Sequence, residues 1–199
     1  MLAPEFIIAA ILLRLLAGLS YLMATIKGEA KPNPVTWFFW GLAPLVAFIA
    51  QLQRSSEPAV WMTLILSLGP LAVFTVALTQ KHKWKIGPFD IWCGSFAALG
   101  IIMWQLSSEP LVALLFGILA DIIGSIPTLR KGFIAPHTEK MLPYLLSVGS
   151  MAITILTIQN WKFMNYAFPV YILLINLALF SSIYIGTIRR MKHYRPRRA

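Results

Sequence analysis

Acid is scarce in this sequence. Seven Asp or Glu stand against seventeen Lys or Arg, giving a formal charge of +10, and charged residues of both signs make up only 12% of the chain. With a single cysteine, Cys93, no intrachain disulfide can form, and nothing follows about redox compartment. The three histidines, His82, His137 and His193, lack the paired spacing of a metal site, and no nucleophile stands beside a base. There is no glycine-rich phosphate loop, and no nucleic-acid module surrounds the arginines. These absences argue against an enzyme. No cofactor, metal or nucleic-acid partner is expected.

What fills the chain instead is apolar: 58% of its residues are hydrophobic, which would leave a soluble domain covered in greasy surface. The composition predicts an all-α integral membrane protein. At roughly 20 apolar residues per crossing, the 199 residues accommodate about seven helices with short loops and no large extramembrane domain. The expected spans are 6–26, 34–53, 59–79, 88–106, 110–129, 139–160 and 165–188. The first should be retained as a span, because Met1 to Glu5 carries no cation and the run lacks a small-residue cleavage site. Trp37, Trp61, Trp84, Trp104 and Trp161 fall near span ends, where interfacial belts place them.

Cations divide unevenly between the two sides. Lys27, Lys31, Lys81, Lys83, Lys85, Arg130, Lys131, Lys140 and the basic tail 189–199 lie on one side, with only Arg54 and Lys162 opposite. Positive residues favour the cytoplasm, so the N-terminus is expected outside and the C-terminus inside. The tail should be disordered and should attract anionic lipid. Laying the chain on itself so that Lys27-Gly28 meets Lys131-Gly132 also brings Pro32 onto Pro136 and Trp40 onto Tyr144. This suggests two parallel three-helix units, 1–80 and 110–188, around a linker helix within 81–109. A competing match carries Trp40 through Pro58 onto Trp92 through Pro110, and the shared Ser-Ser-Glu-Pro explains it as a repeated turn.

The chain is organised around 116–146, which sets Asp121 in an apolar run, then a helix-breaking Ile126-Pro127-Thr128, then Arg130 and Lys131, then a second run from Glu139. Arg14 in the first span and Asp121 in the fifth sit at comparable depths. An isolated charge there costs at least a few kcal/mol, so the two are expected to pair, either as part of a solute site or as a structural lock. Asn176, near the middle of the last span, offers donors and acceptors for a solute or for a neighbouring helix. Trp40 and Tyr144, at matching places in the two units, could stack on a ring, gate a passage or anchor at the interface.

Seven spans with the N-terminus outside, two three-helix units around a linker, and the Pro127-Thr128 pair near a lysine resemble the SWEET and PQ-loop superfamily over most of the chain. Thr128 stands where that family has glutamine, and Met23 occupies the corresponding proline position of the first unit. The resemblance implies a facilitator that moves a small polar solute by alternating access. Asn176 would then be a midplane asparagine of the sugar-binding kind, with Ser67 the nearest polar substitute in the first unit. Pro34, Pro44, Pro127 and Pro143 would form a hinge cluster. Substrate-binding candidates are therefore Arg14, Trp40, Ser67, Asp121, Tyr144 and Asn176. A receptor or sensor, or a structural subunit of a membrane complex, is the alternative, and a homo-oligomer remains open.

Overall fold

The computed structural model describes residues 2–52, 58–80, 84–107 and 109–193. Among them are seven α-helices: α1 (Ile7–Ile26), α2 (Pro34–Leu52), α3 (Pro58–Thr79), α4 (Pro88–Leu106), α5 (Pro110–Ile134), α6 (Met141–Leu156) and α7 (Phe163–His193). Short 3-10 turns at Pro4–Phe6 and Pro136–Thr138 precede α1 and α6, and no strand occurs among the described residues. Three segments are long and apolar enough to cross a membrane by length and composition: Ile7–Ile26, Pro88–Leu106 and Asn165–Lys192. By contrast, the 16 residues of α6 rise only about 24 Å, short of a hydrocarbon core of ~30 Å. The Arg54 to Glu57 turn and the cations Lys81 and Lys83 lie outside the described residues.

Helix starts follow the prolines. Pro34, Pro58, Pro88 and Pro110 each occupy the first position of their helix, where the missing N–H removes no intrahelical bond. Three ends differ from expectation, the sixth helix stopping at Leu156 short of the expected 160. The fifth helix does not break at Pro127 but continues to Ile134, so Arg130 and Lys131 are helical rather than loop residues. A proline deletes one backbone bond and can be carried inside a helix whose flanking turns are otherwise packed. Likewise α7 runs on to His193, so Arg189 to His193 are helical, and the rest of the basic tail lies outside the described residues.

The two Lys-Gly pairs that align in sequence behave differently. Gly28 has φ +72°, the left-handed conformation that ends a helix, and its N–H donates to Thr25 O at 2.9 Å. Gly132 instead lies inside α5, where a side chain would collide with Ser182 and Ile183 of α7.

By internal contacts the chain divides into two compact units, Met1–Ser20 with Thr128–Ala199, and Tyr21–Pro127. In the first, the start of α1 joins α6 through Ser150 Oγ donating to Ala10 O at 2.7 Å and Leu2 N–H to Leu156 O at 2.8 Å, while α6 packs on α7. In the second, α2 packs on α3 and α4, with Gly94 facing Val35 and Phe39 and Gly100 facing Ala120 of α5. Ser67 Oγ donates to Gly41 O at 2.8 Å, one turn before Pro44 in the interior of α2. Large apolar side chains remain exposed throughout, among them Leu12, Leu16, Trp92, Leu99, Leu106 and Leu174.

At Gly186 α7 lies close against the backbone of α5: a Cβ there would stand 2.6 Å from Phe133 O and 2.7 Å from Gly132 O, backbone atoms that cannot swing aside. Gly186→Ala is expected to destabilise the protein by about 1–3 kcal/mol as overpacking. Gly18, with nothing within 4 Å of its would-be Cβ, should accept alanine and gain up to about 1 kcal/mol of helix propensity. Thermal unfolding of both variants in detergent checks the pair; equal melting temperatures would contradict the close approach.

Candidate functional site

Lys131, in the last turn of α5, turns inward and is wholly buried. Its Nζ lies 2.5 Å from Glu139 Oε1, and both side chains are fully shielded from solvent. The contact is ionic in character rather than a well-aimed hydrogen bond. The other carboxylate oxygen, Oε2, accepts from Tyr144 Oη at 3.2 Å, and Tyr144 is itself 3% exposed. Between the two charges runs the 3-10 turn Pro136–Thr138, held by Thr138 Oγ1 donating to Ala135 O at 2.7 Å. This cluster ties the end of α5 to the start of α6 within one unit. Tyr144, expected on a solute path, thus has its hydroxyl committed to a charge. On the same unit Arg189 of α7 rests over the Phe133 ring, 4.7 Å from its centroid.

Arg14 donates from Nη1 to Ser147 Oγ of α6 at 3.0 Å. The partner considered for it, Asp121, belongs to the other compact unit, is half-buried, and its backbone carbonyl accepts from Ser125 Oγ at 2.7 Å. Asn176 donates from Nδ2 to Ile172 O of its own helix at 2.8 Å and is 7% exposed. That back-bond consumes one donor and leaves the amide oxygen available.

The second unit holds an aromatic run. Tyr21 of α1 lies against Trp37 with ring centroids 4.3 Å apart, and Trp37 meets Trp40 edge-on at 5.1 Å. Trp40 Nε1 then donates to the fully buried Ser125 Oγ at 3.2 Å. Trp37 Nε1 is buried with no hydrogen-bond partner among the described residues. Ser67, also fully buried, spends its proton on Gly41 O. Of the four hinge prolines, Pro44 and Pro127 lie in helix interiors, whereas Pro34 and Pro143 stand in first turns, where no helix bond is lost.

Asp90 forms a polar knot that sequence reading placed only at the mouth of a span. Its Oδ2 accepts from Gly87 N at 2.7 Å, capping the start of α4 from the third helical residue alone, since glycine has no side chain to return the bond, and its Oδ1 accepts from Asn33 Nδ2 at 2.9 Å. Asn33 in turn takes Val35 N–H at 3.0 Å, so one buried amide orders the starts of both α2 and α4. The signal was legible: Gly-Pro-x-Asp puts proline first and an acid third in a helix. For the Lys131–Glu139 pair no such local signal existed, since both were read as flanking charges. Among the described residues no group of His, Cys, Asp and Glu could hold a metal ion. Compared with family models, with curated proteins and with solved structures, the chain finds no match.

Breaking a buried ion pair leaves one charge stranded, at a cost of about 3–5 kcal/mol. Lys131→Met and Glu139→Gln are each expected to unfold at markedly lower denaturant concentration, and the double variant to recover much of the loss. Tyr144→Phe should cost less, about 1–3 kcal/mol, because it removes one hydrogen bond to a charged acceptor. A double-variant cycle by denaturant unfolding decides it: simple additivity of the two charge removals would mean that the pair is not coupled.

Proposed function

We propose that the chain is a membrane-embedded facilitator of the SWEET or PQ-loop kind, moving a small polar solute by alternating access, with its N-terminus outside and its C-terminus in the cytoplasm. The membrane setting is supported by an inverted partition of side chains: Lys131, Glu139, Asp90, Ser67 and Ser125 are buried while leucines and isoleucines face outward. In water that arrangement would be costly; in hydrocarbon it is the stable one.

The observation that carries transport is the position of Pro127. It lies in the interior of α5, and the chain passes from one compact unit to the other immediately after it. At that point the Ile123 carbonyl has no intrahelical donor, so the bending stiffness of α5 is lowest where the two units divide. A facilitator needs such a point, because its site must open to each side in turn. Pro44 supplies a similar weak point in α2 beside the Ser67 clip. Within the continuous unit, Asp121 and the Trp40 indole are the polar and aromatic candidates for holding a solute, and within the other unit Arg14 and Asn176 are. In this reading Tyr144 supports the site through Glu139 instead of touching the solute.

Uptake into proteoliposomes, screened over sugars, amino acids and vitamin precursors, tests the proposal. The native chain is expected to carry at least one class down its gradient. Pro127→Ala restores the donor to the Ile123 carbonyl and should reduce uptake while solute binding persists, since the cycle and not the site is changed. Solute binding with no uptake by the native protein would favour a one-sided receptor. Unchanged uptake by Pro127→Ala would remove this proline from the mechanism.

A further inference from the structure

Two indoles of the continuous unit differ in a way that packing alone does not explain. Trp40 Nε1 donates to Ser125 Oγ of α5 at 3.2 Å, whereas Trp37 Nε1, on a side chain only 7% exposed, has no hydrogen-bond acceptor among the described residues. A buried N–H without an acceptor costs the free energy it would have gained from water, and such donors are rare in folded chains. We infer that Trp37 is a ligand-contacting residue whose N–H donates to a hydroxyl or carbonyl oxygen of a small uncharged solute. The inference rests on the transport reading proposed above only in taking that solute to be the one carried; the contact itself does not require transport.

Packing determines which part of Trp37 a solute can use. Tyr21 of α1 lies against it with ring centroids 4.3 Å apart at 34°, and Trp40 meets it at 5.1 Å and 74°. With its ring engaged in this way, the side chain acts as a point donor and not as a stacking platform. Indole nitrogen donates and never accepts, and the ring edge that carries it is electropositive. An oxygen is favoured at that atom, and an ammonium is repelled.

The neighbouring groups select against the opposite charge as well. Trp37, Trp40, Gly41 and Pro44 recur at i, i+3, i+4 and i+7 and so share one face of α2. Three other helices of the unit meet this face through uncharged side chains: α1 through Tyr21, α3 through Ser67 Oγ on Gly41 O, and α5 through Ser125. No cation stands in that set to neutralise a carboxylate, and Asp121, one turn before Ser125 on α5, adds a negative group. Pro44 leaves the Trp40 carbonyl without the donor that the fourth residue on normally supplies, so α2 is softened one turn beyond the indole pair. That is where the helix can yield to admit a solute to a buried donor.

The full chain in nanodiscs, with nitrogen-15 in its seven indoles, tests the assignment by titration with glycerol, acetamide and tetramethylammonium. The Trp37 signal is identified through its contact with Tyr21 and by its loss in Trp37→Phe. Glycerol or acetamide is expected to move that signal downfield and saturably, and to leave the signal of Trp40, whose bond is already made, in place. Tetramethylammonium, which has no acceptor, should move neither. Trp37→Phe keeps a ring against Tyr21 and Trp40, so it should weaken the responding probe about fivefold, the worth of one hydrogen bond, without lowering the melting temperature. Trp40→Phe, which strands Ser125, should melt lower. Silence of the Trp37 signal towards both oxygen-bearing probes would overturn the inference. So would a lower melting temperature of Trp37→Phe with probe binding unchanged, the mark of a structural bond such as one to a buried water. A Trp37 response to a probe that proteoliposomes do not take up would keep the contact and sink the transport reading, whereas uptake of glycerol or acetamide with no Trp37 response would do the reverse.

Discussion

A lysine and a glutamate face each other 2.5 Å apart with neither side chain reaching solvent. Each charge alone would be intolerable there, and together they remain costly unless the geometry is tight and the spare lone pairs are used. Tyr144 supplies that use, and its own burial follows from it. From this requirement descends much of the local architecture. α5 must continue past Pro127 to carry Lys131 inward, the chain must turn sharply through Pro136–Thr138 to bring Glu139 back, and α7 must approach closely enough that Gly186 admits no side chain. The pair contributes position more than stability, since apolar residues of similar volume would fill the space at less cost.

Elsewhere the polar groups of the helices obey the same demand by a cheaper route. Thr25, Ser95, Ser125, Thr154, Asn176 and Thr187 return a donor to the backbone one turn earlier in their own helix. Such back-bonds satisfy the donor within the helix, and for the hydroxyls the remaining chemistry is that of an acceptor, which Ser125 spends on Trp40 Nε1 of α2. Ser67 and Ser150 behave otherwise, each reaching a carbonyl on another helix, Gly41 and Ala10 respectively. These bonds and the Asn33–Asp90 knot fix helix positions where the apolar contacts, being non-directional, would allow sliding.

Helix number and most helix ends were legible because runs of apolar residues and proline at a first position act locally. Span 88–106 is reproduced by α4 at both ends, and span 6–26 ends where α1 does, at Ile26. Reading Pro127 as a breaker failed for a reason beyond local sequence. Whether an interior proline ends a helix depends on what packs around it, and Gly132 against Ser182 and Ile183 holds the next turns in place. Charge misled in the same way. Lys131 resembles Arg130 in every sequence property, yet one is exposed and the other wholly buried, a difference set by which face of α5 each occupies and by a glutamate beyond the following turn. Trp40 and Ser67 were found as interior polar groups, but their partners, Ser125 and Gly41, lie on other helices and leave no trace in spacing.

The division of the chain has a bearing on the order in which it is made. Tyr21–Pro127 is one uninterrupted stretch, whereas the other unit joins Met1–Ser20 to residues that begin only at Thr128. Within the continuous unit, Asp90 finds Asn33 already synthesised 57 residues earlier, so α4 can be capped as soon as it emerges. Arg14 has no such fortune: Ser147 is 133 residues away, and the carbonyl of Ala10 waits across 140 for Ser150. For most of biosynthesis the first helix therefore carries a guanidinium without its eventual hydroxyl partner. That bond closes only when α6 arrives, so the two parts of the discontinuous unit join late.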